Sequence, residues 1–118
     1  MQKGNLSNPA EVRDLSGKGT VEILRLGDVT VSRSTFKPGW RWSEHVKPIV
    51  GGDSCQVLHH SFVTSGQLVV RLNDGTQETF GAGDVWVIEP GHDAWVEGDE
   101  DVVALDFSPA TADYGKAK

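Results

Sequence analysis

Turn-forming residues punctuate this chain roughly every 8–12 residues, a spacing that suits short strands and leaves little room for a long helix. Gly27-Asp28, Asn73-Asp74-Gly75, Pro90-Gly91 and the acidic stretch from Gly98 to Asp101 each separate runs rich in β-branched and aromatic residues. Within those runs apolar residues alternate: Val21 with Ile23, Val29 with Val31, and Leu68, Val70 and Leu72 on one face. Period-2 alternation marks half-buried strands, and no segment carries a convincing 3.6-residue period. "SGQLVVRLNDGTQETF" reads as a hairpin closed by Asn73-Asp74-Gly75, and "GAGDVWVIEPGHDAWVEGDEDVVALDF" as three further strands. The 14 glycines supply the turns of a sandwich or closed barrel, which hides its strand edges.

The 118 residues suit one domain, and 37% hydrophobic content provides a core. Residues 1–19 are polar and read as an N-terminal arm, 20–107 as the barrel, and 108–118 as a small polar tail that frays. The formal charge is −6 and no Lys/Arg cluster stands out, which excludes nucleic acid and anionic membranes as main partners. The opening residues have no apolar stretch and do not read as a signal peptide, and no run approaches the ~20 residues of a membrane span. The lone Cys55 forms no internal disulfide, which fits a cytoplasmic chain.

Chemistry concentrates in "GWRWSEHVKPIVGGDSCQVLHHSF", Gly39–Phe62, which holds three of the four histidines, the cysteine and two of the four tryptophans. The segment from about Phe36 to Phe107, which includes this stretch, resembles a cupin, a small jelly-roll barrel. Gly39 followed by five residues and His45 resembles the start of the first cupin motif, and "HHSFVTSGQL", closing on Gly66, resembles its end. "GAGDVWVIEPGH" resembles the second motif. The resemblance implies an all-β jelly-roll with a ligand-binding interior, a homodimer, and a metal only conditionally, because the functional positions depart from the pattern. His59 stands where the family carries Glu, Cys55 where it carries the second histidine, and Ala94, two residues beyond His92, where it carries the last one. Eight extra residues, "VKPIVGGD", follow the region of His45.

Side chains two apart on a strand share a face, so Cys55, Val57 and His59 point one way and Leu58, His60 and Phe62 the other. The family register turns His59 inward and leaves His60 outside. Cys55 and His59 would lie about 13 Å apart on a straight strand, so they share a ligand only if the chain bends between them. Without such a role Cys55 is a small buried hydrophobe. His92 shares parity with Ala94. The candidate pocket is Trp40, Trp42, His45, Cys55, His59 and His92, with His45, His59 and His92 as candidate ligands for Zn or Fe and Cys55 as an additional one. Core plug or dimer surface is the default reading of the tryptophans; the sharper one is that one or two line a pocket and stack on a flat or apolar ligand. A Cys55–His59 or Cys55–His45 nucleophile pair is formally available, but nothing locates an oxyanion hole.

Two functions follow. One is a non-catalytic barrel that binds a small molecule, with or without a divalent metal. The other is a metal-dependent small-molecule enzyme of dioxygenase or isomerase type. The substituted motifs favour the first, the retained histidines the second. "TVEILRL" is expected to add a strand to a neighbour's sheet in the homodimer.

Overall fold

A computed structural model describes residues 1–116. The strands are β1 (Glu11–Asp14), β2 (Gly19–Leu26), β3 (Val29–Phe36), β4 (His59–Ser65), β5 (Gln67–Leu72), β6 (Gln77–Gly81), β7 (Val85–Ile88), β8 (His92–Glu97) and β9 (Val102–Asp106). Two helical turns, α1 (Trp42–His45) and α2 (Lys47–Val50), and a 3-10 turn at Pro109–Asp113 complete the described elements. All the strand pairs are antiparallel, in one sheet ordered β1-β2-β3-β9-β4-β7 and another ordered β6-β5-β8. The two sheets enclose one core in the jelly-roll manner.

The hairpins form where turn chemistry requires them. β2 and β3 pair in unbroken register around Gly27-Asp28, from Leu26 opposite Val29 to Gly19 opposite Phe36. β5 and β6 pair around Asn73-Asp74-Gly75, and Pro90-Gly91 separates β7 from β8. Alternation sets the inward face: Val21 and Ile23 on β2, Leu68 and Val70 on β5, Val102 and Ala104 on β9 are buried. Strand β3 departs from its apolar pattern. Val29 is exposed, while Ser32, Ser34 and Phe36 are buried. Ser32 is tolerated inside because its hydroxyl hydrogen-bonds that of Thr111 at 2.6 Å.

Residues 1–19, expected as an arm, contain β1, which pairs with β2, and Leu15, which lies wholly in the core. "TVEILRL", expected to add a strand to a neighbour's sheet, is β2 and lies between β1 and β3, so it has no free edge to offer. At the other end Ser108, Thr111 and Tyr114 are buried. Ser108 Oγ accepts from Ala110 N at 3.2 Å, Pro109 follows it, and the 3-10 turn folds Thr111 back onto Ser32. Arg13 Nη1 donates to Tyr114 O at 2.8 Å, which ties the last described turn to the first strand. Residues 117 and 118, part of the same expected tail, lie outside the described residues.

The eight residues after His45 region are accommodated by α2 and the Gly51-Gly52 bend rather than by a longer strand. Trp42 starts a helical turn rather than a strand, and both Trp40 and Trp42 are buried.

Gly66 joins β4 to β5 with φ +77°, and a Cβ there would stand 2.5 Å from Asp101 O and 2.8 Å from Val102 Cα. A side chain meets both a left-handed backbone and a backbone wall. Gly66→Ala is therefore expected to destabilise the fold by roughly 2–5 kcal/mol, adding the two costs. A urea midpoint equal to the parent's at unchanged m-value would contradict this.

Candidate metal centre between the two sheets

Three elements deliver the polar side chains of the interior. His59 opens β4, where Ser61 and Val63 share its inward face, while His60 is exposed. His92 opens β8 and is buried with Ala94 and Val96 on the same face. Cys55 lies outside any strand but forms an isolated antiparallel bridge with His92: Cys55 N donates to His92 O and Gly91 N to Cys55 O, both at 2.7 Å. The chain bends between residues 55 and 59, which brings Cys55 Sγ to 3.7 Å from His59 Nε2 instead of the 13 Å or so of a straight strand. The cluster thus links the two sheets, one histidine from each.

Hydrogen bonds behind the rings fix their orientation. His59 Nδ1 donates to Asp106 Oδ2 at 2.6 Å, and His92 Nδ1 to the backbone carbonyl of Glu89 at 2.8 Å. Each ring therefore has Nε2 to offer forward. Asp106, buried at the end of β9, also accepts from Ser61 Oγ (3.0 Å), His60 N (3.3 Å) and Ser108 N (2.8 Å). Four donors fill the four lone-pair sites of a carboxylate.

The charges follow from this arrangement. Burial pushes the Cys55 thiol up, but hydrogen bonds from His59 and His92 and the charge they carry outweigh it and bring it down to about 6. Burial pushes His59 down, but the hydrogen bonds to Asp106 and Cys55, with their charges, raise it to about 9. Both shifts favour the thiolate–imidazolium form of the pair. Burial pushes the Tyr114 phenol well above its ordinary value, with Cys55, Asp106 and Asp93 adding to the shift, so it stays protonated.

The donor set fits a transition metal. The ligand atoms of Cys55, His59 and His92 all lie within 4.8 Å of one another. A tetrahedral ion at about 2.3 Å from sulfur and 2.0–2.1 Å from nitrogen holds S and N about 3.6 Å apart, close to the observed 3.7 Å. Expected ligands His59 and His92 are in this group, and Cys55 takes the place expected of His45. The helical turn beginning at Trp42 bends His45 back onto the chain, where Nδ1 accepts from Arg41 N at 3.0 Å. Trp40, Trp42, Cys55, His59 and His92 surround one cavity of about 40 Å³; His45 does not.

Two further site residues were not picked out in the sequence. Asp106 shares the inward parity of Val102 and Ala104, and a carboxylate at such a position was a legible signal. Tyr114, whose ring centroid lies 5.4 Å from that of His59, had no such signal, because it follows an irregular turn. A larger cavity of about 420 Å³ lies between α2 and the C-terminal turn and shares Trp42, Cys55 and Tyr114 with the smaller one. Arg41 and Arg71 do not enter either cavity; Arg41 lies over the Trp95 ring at 4.3 Å and 3.5 Å from Asp93, and Arg71 is exposed.

No protein-family model and no curated protein matches the chain. Solved structures do. KdgF from a Halomonas species is similar at 20% identity, with 84% of this chain and 87% of that one covered and a TM-score of 0.60. A cupin-like protein from Thermotoga maritima shows 21% identity over 76% and 67% of the two chains, with a TM-score of 0.54. A protein of unknown function from Rhizobium leguminosarum shows 20% identity over 92% and 97%, with a TM-score of 0.61. At these identities the likeness is one of fold.

Thiol reactivity reports the cluster. In chelator-treated protein the rate of Cys55 alkylation by iodoacetamide should rise with a midpoint near pH 6, since the thiolate is the nucleophile and its folded value is lowered. His59→Ala should move that midpoint upward, toward the ordinary thiol range near 8.5. An unchanged midpoint would show that His59 does not charge the sulfur.

Proposed function

We propose that this chain, which folds as a cupin, holds a divalent transition metal on Cys55, His59 and His92 and binds a small molecule at the position that ion leaves open. The observation that carries the reading is the convergence of one sulfur and two imidazoles whose rear nitrogens are already engaged by Asp106 and the Glu89 carbonyl. That pattern is how metal-bound histidines are usually held. A thiolate with two imidazoles suits Zn or Fe(II) and supplies the negative ligand that three histidines would lack. Bound there, such an ion acts as a Lewis acid toward an oxygen of the small molecule.

The residues around the ion favour binding over catalysis. Asp106 has no lone-pair site left to act as a base, and the Tyr114 phenol, held protonated, suits a hydrogen bond better than proton abstraction. A metal-dependent enzyme is the alternative, and turnover of a bound compound would favour it. The chain Cys55–His59–Asp106 also supports a second reading, a metal-free thiolate nucleophile oriented by imidazole and carboxylate. The two readings part on metal content.

A homodimer is proposed through strand β7, an edge of its sheet, where Val85 and Val87 are 74% and 68% exposed beside Phe62. No helix among the described residues is long and apolar enough to cross a membrane; a cytoplasmic setting is proposed from the single thiol.

Elemental analysis of untagged protein is expected to find Zn or Fe near one ion per chain. Cys55→Ser and His59→Ala should abolish stoichiometric binding, and Asp106→Asn should weaken it about 10–100-fold through loss of the ring's support. His45→Ala should leave it intact. Should His45→Ala release the metal while His59→Ala retains it, the assignment is wrong; a parent with no affinity for either ion leaves the thiolate reading.

Sedimentation velocity at micromolar concentration should give a dimer for the parent and a monomer for Val85→Lys/Val87→Lys. A monomeric parent would refute the β7 interface.

A further inference from the structure

Two buried donors in the barrel lack an acceptor. Trp40 and Trp86 line the smaller cavity, are 1% and 6% exposed, and their Nε1–H groups have no partner among the described residues. Buried indole N–H groups ordinarily find one. Asp106 is saturated by four donors, and the Glu89 carbonyl already accepts from His92. The Ser34 and Tyr114 hydroxyls that line the cavity serve either as donors or as acceptors. With two unpartnered indoles, and an ion in place, the interior favours a head group that accepts.

Size separates the head from the rest of the ligand. The cavity inside the barrel, about 40 Å³, takes a few atoms. Sites for whole organic ligands run to roughly 300–1,000 Å³, a range that the 420 Å³ groove enters. Its walls are mostly apolar, with Val46, Val50 and Val57 on one side and Ala110 on the other. The exposed Asp113 and Lys116 are the charged members of its lining. The groove and the cavity share Trp42, Cys55 and Tyr114, so the inner end of the groove lies beside the Cys55–His59–His92 cluster.

We propose that the groove takes the hydrocarbon body of a monocarboxylate whose head enters at the Trp42–Cys55–Tyr114 boundary. The carboxylate accepts from the Trp40 and Trp86 indoles and occupies the open position on the ion. Its four lone-pair sites suffice for all three. This inference rests on the metal reading above for the head, and on the groove alone for the body.

The test is calorimetric titration of octanoate and of octan-1-ol into the zinc-loaded full chain, its metal-stripped form, and the variants Val50→Trp and Ala110→Phe. These variants fill the groove from opposite walls and touch none of the proposed ligands, so either one can report if the other misfolds. Octanoate is expected to bind the zinc-loaded parent at least tenfold more tightly than octan-1-ol. It should lose at least tenfold in either variant at unchanged zinc content, and fall to the level of the alcohol when zinc is stripped. Equal affinity for acid and alcohol, or a folded variant that binds octanoate like the parent, overturns the proposal. Zinc bound without any octanoate binding also overturns it while leaving the metal reading standing. A chain that takes up no zinc defeats the metal reading and the head-group assignment together.

Discussion

The Asp106 carboxylate organises the interior of this barrel. It is 5% exposed and receives hydrogen bonds from β4, from the His59 ring and from Ser108. Desolvating a carboxylate costs several kcal/mol, while each hydrogen bond to a charged group returns roughly 1.5–3 kcal/mol. Four such bonds offset the burial, and they do so only if β4, β9 and the turn after residue 107 are all in place. The same group therefore specifies how the strands meet and how His59 is turned. Its role at the site cannot be separated from its role in the fold.

Around that carboxylate the core is graded from apolar to polar. Val63, Val96 and Val102 fill the far end, where packing alone decides. Ser32, Ser34 and Ser61 line the end near Asp106, where larger side chains would exclude His59 and Tyr114. Phe36 stacks on Trp40 with centroids 4.0 Å apart and meets Tyr114 edge-on at 6.5 Å, and all three line the same cavity as His59. Cys55 and His59 are tolerated beside these rings because each favours the charged form of the other and Asp106 holds the imidazole.

The sheet architecture was legible because turn residues and alternation act locally. Gly27-Asp28, Asn73-Asp74-Gly75 and Pro90-Gly91 fall where strands end. Parity put His59 and His60 on opposite faces and His92 with Ala94, and the family register chose His59 as the inward one. His45 was misplaced because its conformation is set by the α1 turn, which no apolar period announces in so short a segment. The approach of Cys55 to His59 depended on a bend at residues 55–58, and the bridge to His92 that creates it is a contact between distant segments. The C-terminal turn was misread for the same reason. "SPATADYG" is polar by composition, yet Thr111 and Tyr114 find partners in Ser32 and Arg13 that lie far off in sequence.

The Arg13–Tyr114 contact spans 101 positions. Glu11 holds the Arg13 guanidinium from one side at 2.6 Å, the Tyr114 carbonyl takes its other arm, and the Tyr114 ring borders both cavities. The first strand thus acts as a clasp for the residue that walls the site. Arg13 makes no hydrogen bond to Cys55, His59 or His92, but changes there would reach that cluster through the closing turn. Substitutions at 13 and 114 are consequently not independent events, and the tolerance of one is conditioned by the identity of the other.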